Sequence, residues 1–224
     1  MTRPEERNGP HHDLEQMLEA RRRTRAAVGL IGARLEPGML EEDAGAIARE
    51  ILKGEGLLRG WHGVFVRFGP NTVKFYGQPS EAGVRLGEHD IAIVDIGPVW
   101  QKWEGDAGET FVFGDDPEMH RARRDVHELY DIVAARWRNE RLTGAALYEF
   151  ASAEAERMGW RLNLDLGGHR LADFPHALIH KGDLKDAGFS PSPDLWVLEI
   201  HLRHPERRFG AFYEDLLLDR PAAA

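Results

Sequence analysis

The sequence predicts an α+β fold in which paired helices cover a largely antiparallel sheet. The hydrophobic period switches twice from helical to alternating, and the resulting order is helix pair, strands, helix pair, strands. A further observation bears on function: acidic residues stand inside strands that are otherwise apolar, where a carboxylate is costly to bury without a partner.

The first helix is expected from Asp13 to about Leu35. Leu14, Met17, Leu18, Ala27, Val28, Leu30, Ile31 and Leu35 recur at near-helical spacing, while Arg21, Arg22, Arg23 and Arg25 fall on a solvated face. Pro37-Gly38 breaks the chain, and a second helix runs from about Leu40 to Lys53, ended by Gly54 and Gly56. From Gly63 to Gly114 the period is two: Val64, Val66 and Phe68 alternate, then come Ile91-Ala92-Ile93-Val94 and Thr110-Phe111-Val112-Phe113. Helical spacing returns over 117–139 and 144–158, and strands are expected around 195–203 and 209–218. The halves share an order of elements with little residue identity, which is an internal duplication of architecture. Residues 1–11 read as a flexible leader, 12–220 as a single domain and 221–224 as a tail.

Composition narrows the function. With 224 residues and 42% hydrophobic content the chain can bury a substantial core. Its 29 basic and 38 acidic side chains give a net charge of −9, which disfavours nucleic acid or an anionic membrane as the main partner and suits a protein that binds cations. There is no cysteine, so disulfides, thiolate metal sites and a cysteine nucleophile are excluded, and any metal must sit on oxygen and imidazole. The charged amino terminus and the lack of an apolar run of about 18 residues lead us to expect cytoplasmic residence.

Asp95 ends the apolar run Ile91 to Val94, and Asp106 follows eleven residues later at the start of the next strand. A hairpin register setting them opposite each other would bring their Cβ atoms within about 5 Å, and two carboxylates that close need a proton or a cation between them. A turn-initiating aspartate with a surface aspartate is the plain alternative. His169 follows Gly167-Gly168, which read either as a sharp turn exposing an imidazole to a cleft or as a merely structural arrangement. Glu199 in Leu195-Trp196-Val197-Leu198-Glu199-Ile200, and Glu214 between Phe212-Tyr213 and Asp215-Leu216-Leu217-Leu218, repeat the pattern of an acid in an apolar strand. Hard oxygen ligands with one imidazole suit manganese, iron(II), cobalt or zinc, and bridging carboxylates can hold two such ions. Hydrolysis is the natural reaction class.

These residues, taken in order, resemble the superfamily of methionine aminopeptidase, prolidase, aminopeptidase P and creatinase. The resemblance spans about residues 13–218 and rests on Asp95-Ile96-Gly97, Gly105-Asp106, Glu109-Thr110-Phe111, Gly168-His169, Glu199 and Glu214-Asp215. It implies the pita-bread fold with pseudo-twofold halves, and two divalent ions held by Asp95, Asp106, His169, Glu199 and Glu214. It further implies that Glu199 acts as general base and that His176 contacts the substrate carbonyl or stabilises the tetrahedral intermediate. The substrate would be a small peptide or amide, and a homodimer is compatible with the family.

Several positions depart from the family pattern. The family's other substrate-facing histidine, upstream of Asp95, has no counterpart in Asn71 to Pro79, where Phe75 takes the place and Tyr76 is the adjacent polar candidate for substrate binding. Arg170, Ala172 and Ala177 replace the usual residues around His169 and His176, and Ile200 follows Glu199 where the family has proline. The separate amino-terminal domain of prolidases is expected to be missing. A non-peptidase enzyme using the same metal site on a specialised metabolite, and a catalytically silent binding relative, are the competing functions.

Overall fold

The computed structural model describes residues 3–57, 59–174 and 182–219. Helices α1 (Leu14–Gly32) and α2 (Glu41–Gly54) precede strands β1 (Gly60–Phe68), β2 (Asp90–Trp100), β3 (Trp103–Glu104) and β4 (Ala107–Phe113). Helices α3 (Pro117–Glu140) and α4 (Gly144–Arg157) follow, then β5 (Arg161–Leu162), β6 (His169–Arg170), β7 (Trp196–Arg203) and β8 (Gly210–Leu216). Three of the helices start where a side chain caps them. Asp13 accepts from the backbone of Glu15 and Gln16, Asp116 from Glu118 and Met119, and Thr143 from Ala146. The expected helix pairs and strands are therefore present, with boundaries that differ by a few residues.

The strands form one antiparallel sheet in the order β1-β2-β4-β8-β7-β5, with β3 paired to β2 and β6 to β7. Each half buries its own core. Ala27, Ile31, Ala44, Ala48 and Leu52 of α1 and α2 pack on Phe68, Ala92, Val94 and Ile96. Val126, Leu129, Val133, Trp137, Leu147 and Ala151 of α3 and α4 pack on Trp196, Leu198, Ile200 and Leu202. Because side chains alternate along a strand, these apolar residues claim the helix-facing side, and their neighbours Asp95 and Glu199 are turned to the opposite face.

The halves share a buried cluster of Met17, Ala20, Trp103, Leu171, Val197 and Leu216, but their strands meet at a narrow seam. Strands β4 and β8 pair through Gly108 and Glu214 alone, and the hydroxyl of Thr110 extends the seam by donating to Phe212 O at 2.8 Å while accepting from Phe212 N at 2.7 Å.

The β2–β4 register differs from one that sets Asp95 opposite Asp106. Trp100 pairs with Trp103 across a turn at Gln101-Lys102, where Gln101 has a φ of 55°. That turn fixes the ladder so that Asp95 faces Gly108 and Ile96 faces Ala107, leaving Asp106 just outside β4. Within the segment expected to be a flexible leader, Glu6 is buried and accepts from Trp196 Nε1 at 3.1 Å, and Arg170 donates to Arg7 O at 2.8 Å. No helix among the described residues is long and apolar enough to cross a membrane.

Candidate metal centre

Strand geometry brings the expected acids together. Glu199 and Glu214 are directly opposite on β7 and β8, and Asp95 and Glu214 flank Gly108 from either side. Like charges opposed across a ladder are destabilising, so this pairing demands compensation. Gly108 is what lets it form: a Cβ there would lie 2.2 Å from the Phe212 ring and 3.1 Å from Glu214 Oε1. Asp106 sits at the centre and is 2% exposed. His169 reaches it from β6, with Nε2 2.6 Å from Asp106 Oδ2 and 3.5 Å from Glu199 Oε1. The preceding Gly168 has a φ of 65°, and a Cβ on it would lie 2.4 Å from Val197 O, so both the turn and the close strand approach need glycine here.

These residues, with Trp61, His62, Tyr76, Leu166 and Phe212, line a cavity of about 250 Å³. Among the described residues, no lysine or arginine lines it. Asp215, next to Glu214, makes the contrast. It points to the helix side, where Arg21 grips it through two bonds of 2.6 and 2.5 Å. Glu214 Oε1 and Glu199 Oε2 are buried with no hydrogen-bond partner among the described residues, a costly state unless another species completes them. Carboxylates and imidazoles around two orphaned, buried oxygens are a donor set that fits divalent cations.

The electrostatics follow from this crowding. Burial pushes the carboxyl groups of Asp95, Glu199 and Glu214 above their ordinary values, and the charge of Asp106 adds to the effect. Burial would raise Asp106 too, but the two histidines hold it well below the usual carboxylate range. Burial alone would lower His169; its bond to the Asp106 carboxylate overcomes this and raises it to about 9.

Glu199 is positioned by the second helix pair. The Tyr148 hydroxyl, on α4, donates to Glu199 O at 3.0 Å and accepts from Glu199 N at 3.2 Å, filling a gap in the ladder beside β7. A Tyr148→Phe substitution leaves both backbone groups buried and unpaired, and we expect a loss of about 1–3 kcal/mol in denaturant unfolding; an unchanged midpoint would show that water replaces the hydroxyl.

Of the two residues expected to bind substrate near Asp95, Tyr76 lines the cavity, half exposed, with its ring 5.9 Å from that of His62. Phe75 lines a smaller adjoining cavity with Arg67, His201 and Asp95. His176 lies outside the described residues.

Sequence reading missed His62. Its Nε2 lies 3.0 Å from Asp106 Oδ1 and 3.7 Å from Asp95 Oδ1. Burial would lower this imidazole, but Asp106 and Asp95 raise it to about 9. Strict alternation groups His62 with the helix-facing Val64, Val66 and Phe68, yet it sits in an irregularity of β1 between Gly60 and Val64, where the register against β2 shifts. Bulges of this kind re-aim side chains. The only signal for it in the sequence was a histidine beside Gly63 at the start of the strand.

An open antiparallel sheet in two pseudosymmetric halves, with acids and imidazoles gathered at their seam, defines the pita-bread class of α+β folds. The chain belongs to metallopeptidase family M24, whose model matches residues 15–218. Its fold is similar to that of an X-Pro aminopeptidase from Thermotoga maritima, at 16% identity and a TM-score of 0.70, covering 94% of this chain and 62% of that one. It is also similar to a prolidase from Pyrococcus furiosus, at 16% identity and a TM-score of 0.71, covering 95% and 62%. Methionine aminopeptidase from Thermotoga maritima matches at 17% identity and a TM-score of 0.69, covering 98% of this chain and 100% of that one. The chain thus spans about three fifths of the length of the first two. No curated protein is significantly similar to it in sequence.

Proposed function

We propose that the chain is a metal-dependent hydrolase of peptide or peptide-like amide bonds, with two divalent ions held by Asp95, Asp106, His169, Glu199 and Glu214. The observation that carries this reading is the convergence of four carboxylates on one cavity that, among the described residues, no lysine or arginine lines. Manganese, iron(II), cobalt and zinc all suit the donors. Bound ions would polarise a substrate carbonyl and make water acidic enough to attack it near neutral pH. Glu199, whose affinity for a proton is raised by burial, is the group to take the proton from the attacking water and return it to the leaving amine. Tyr76 at the cavity mouth offers a ring and a hydroxyl to the substrate, Phe75 shapes the adjoining recess, and His176 is assigned to the substrate carbonyl. A soluble cytoplasmic enzyme, active as a monomer or homodimer on small substrates, completes the proposal.

The test is metal analysis of the purified protein alongside hydrolysis of a panel of dipeptides and amino-acid amides. Two ions per chain with metal-dependent cleavage supports the reading. Absence of tight divalent binding overturns it, and tight binding without cleavage of any amide moves the chemistry to another bond.

A pH dependence follows. His169 in the metal-free protein keeps a proton up to about pH 9, and a ligand imidazole must be neutral. Ion binding therefore releases protons at neutral pH, and affinity should rise from pH 6 to about 9 and then level off. Calorimetry in buffers of different ionisation enthalpy measures the release directly; an affinity flat across that range would remove His169 from the ligand set.

A further inference from the structure

The duplication of the fold extends to the chemistry of the site. In the second half, β6, β7 and β8 present His169, Glu199 and Glu214 in that order. In the first half, β1 and β2 present His62 and Asp95, and Asp106 follows immediately before β4. The two histidines are held alike. His62 Nδ1 lies 2.6 Å from Gly63 O and His169 Nδ1 3.2 Å from Arg170 O, in each case the carbonyl of the next residue. A carbonyl oxygen only accepts, so both Nδ1 atoms carry hydrogen and both Nε2 atoms are turned to the carboxylates. Each Nε2 approaches one oxygen of Asp106, His62 at 3.0 Å and His169 at 2.6 Å. Each then has a second carboxylate of its own half nearby, Asp95 at 3.7 Å and Glu199 at 3.5 Å. Trp61 packs edge-on to both rings, at 4.6 and 4.8 Å between centroids.

An imidazole whose Nδ1–H is fixed by a backbone carbonyl while Nε2 faces carboxylate oxygens has the arrangement of a metal ligand, because the outer hydrogen bond sets the tautomer. The seat is also built for the ring: a Cβ on Gly97 would lie 2.0 Å from His62 Cδ2 and 2.2 Å from Nε2. Glycine at that position keeps β2 clear beneath the imidazole.

We propose that His62 is a metal ligand, serving an ion with Asp95 and Asp106 as His169 serves one with Glu199 and Glu214. This rests on the metal-dependent reading above and enlarges its five-residue set to two histidines and four carboxylates, one histidine for each ion. A second imidazole shifts preference from manganese toward cobalt, iron(II) and zinc.

The test uses the full chain loaded with cobalt(II). The Nδ1–H of a ligating imidazole gives a hyperfine-shifted proton resonance that vanishes in heavy water. Two such resonances are expected in the unaltered protein, one lost in His62→Phe and the other in His169→Phe. Chelator competition should show one ion held at least about 10-fold more weakly in His62→Phe, since loss of even a ligand's outer hydrogen-bond partner costs about that much. A single exchangeable resonance in unaltered protein that holds two ions overturns the proposal without reference to any variant. So does a folded His62→Phe protein with unchanged affinity and both resonances, even if its turnover changes, since His62 would then act on the substrate alone. Failure of the unaltered protein to bind cobalt would overturn the metal-dependent reading itself, an outcome distinct from either.

Discussion

Asp106→Ala should leave at most one weakly held divalent ion per chain. Asp106 is the most central side chain of the cluster: its two oxygens face the two imidazoles at 3.0 and 2.6 Å, and it is almost completely buried. Its removal takes the shared carboxylate from both sides and leaves the cavity with three acids whose ionisation is already opposed by burial. The loss should exceed that of any other single ligand. Elemental analysis after dialysis against a weak chelator reads the outcome, with the metal-induced rise in melting temperature, present in the unaltered protein, as a second readout. Two ions retained in this variant would place the metal centre elsewhere.

Glu199→Gln should separate binding from turnover. The amide keeps an oxygen that can face a cation but cannot accept the proton that hydrolysis must move. Ion affinity should weaken moderately, while turnover on whichever amide substrate the panel identifies falls by about 10²- to 10⁴-fold. The backbone of Glu199 is fixed by Tyr148 and by its pairing with Glu214, so the substituted side chain starts from the same place. Turnover equal to that of the unaltered enzyme would remove Glu199 from proton transfer.

The parts of this molecule that a single sequence discloses are those governed by regular periods. Asp95 and Glu199 are legible because each interrupts an apolar run, and Glu214 because β8 carries the same interruption. Glu214 and Asp215 differ only by the face of the strand they occupy. The partner that distinguishes them, Arg21 on α1, lies 194 positions away from Asp215. Asp106 was recognisable as an acid near Asp95, but its station opposite two histidines depends on the turn at Gln101-Lys102, whose positive φ no residue type there announces. His62 was illegible for a related reason. Alternation assigns it to the wrong face, and a local break in the β1 register returns it to the cavity.

The seam between the halves has a mechanical consequence. Each half encloses a core, and a third cluster, Met17, Ala20, Trp103, Leu171, Val197 and Leu216, is shared by both, whereas the strands that join them share a single paired position and one bridging threonine. Ions seated among Asp95 and Asp106 on one side and His169, Glu199 and Glu214 on the other would tie the two halves of the sheet together where their strand pairing is sparsest. Stripped of metal, the chain should loosen first at the facing edges of β4 and β8, while the outer strands and helices hold. Exchange of the Phe212 amide, which donates to the Thr110 hydroxyl, would then serve as a gauge of how many ions the protein carries.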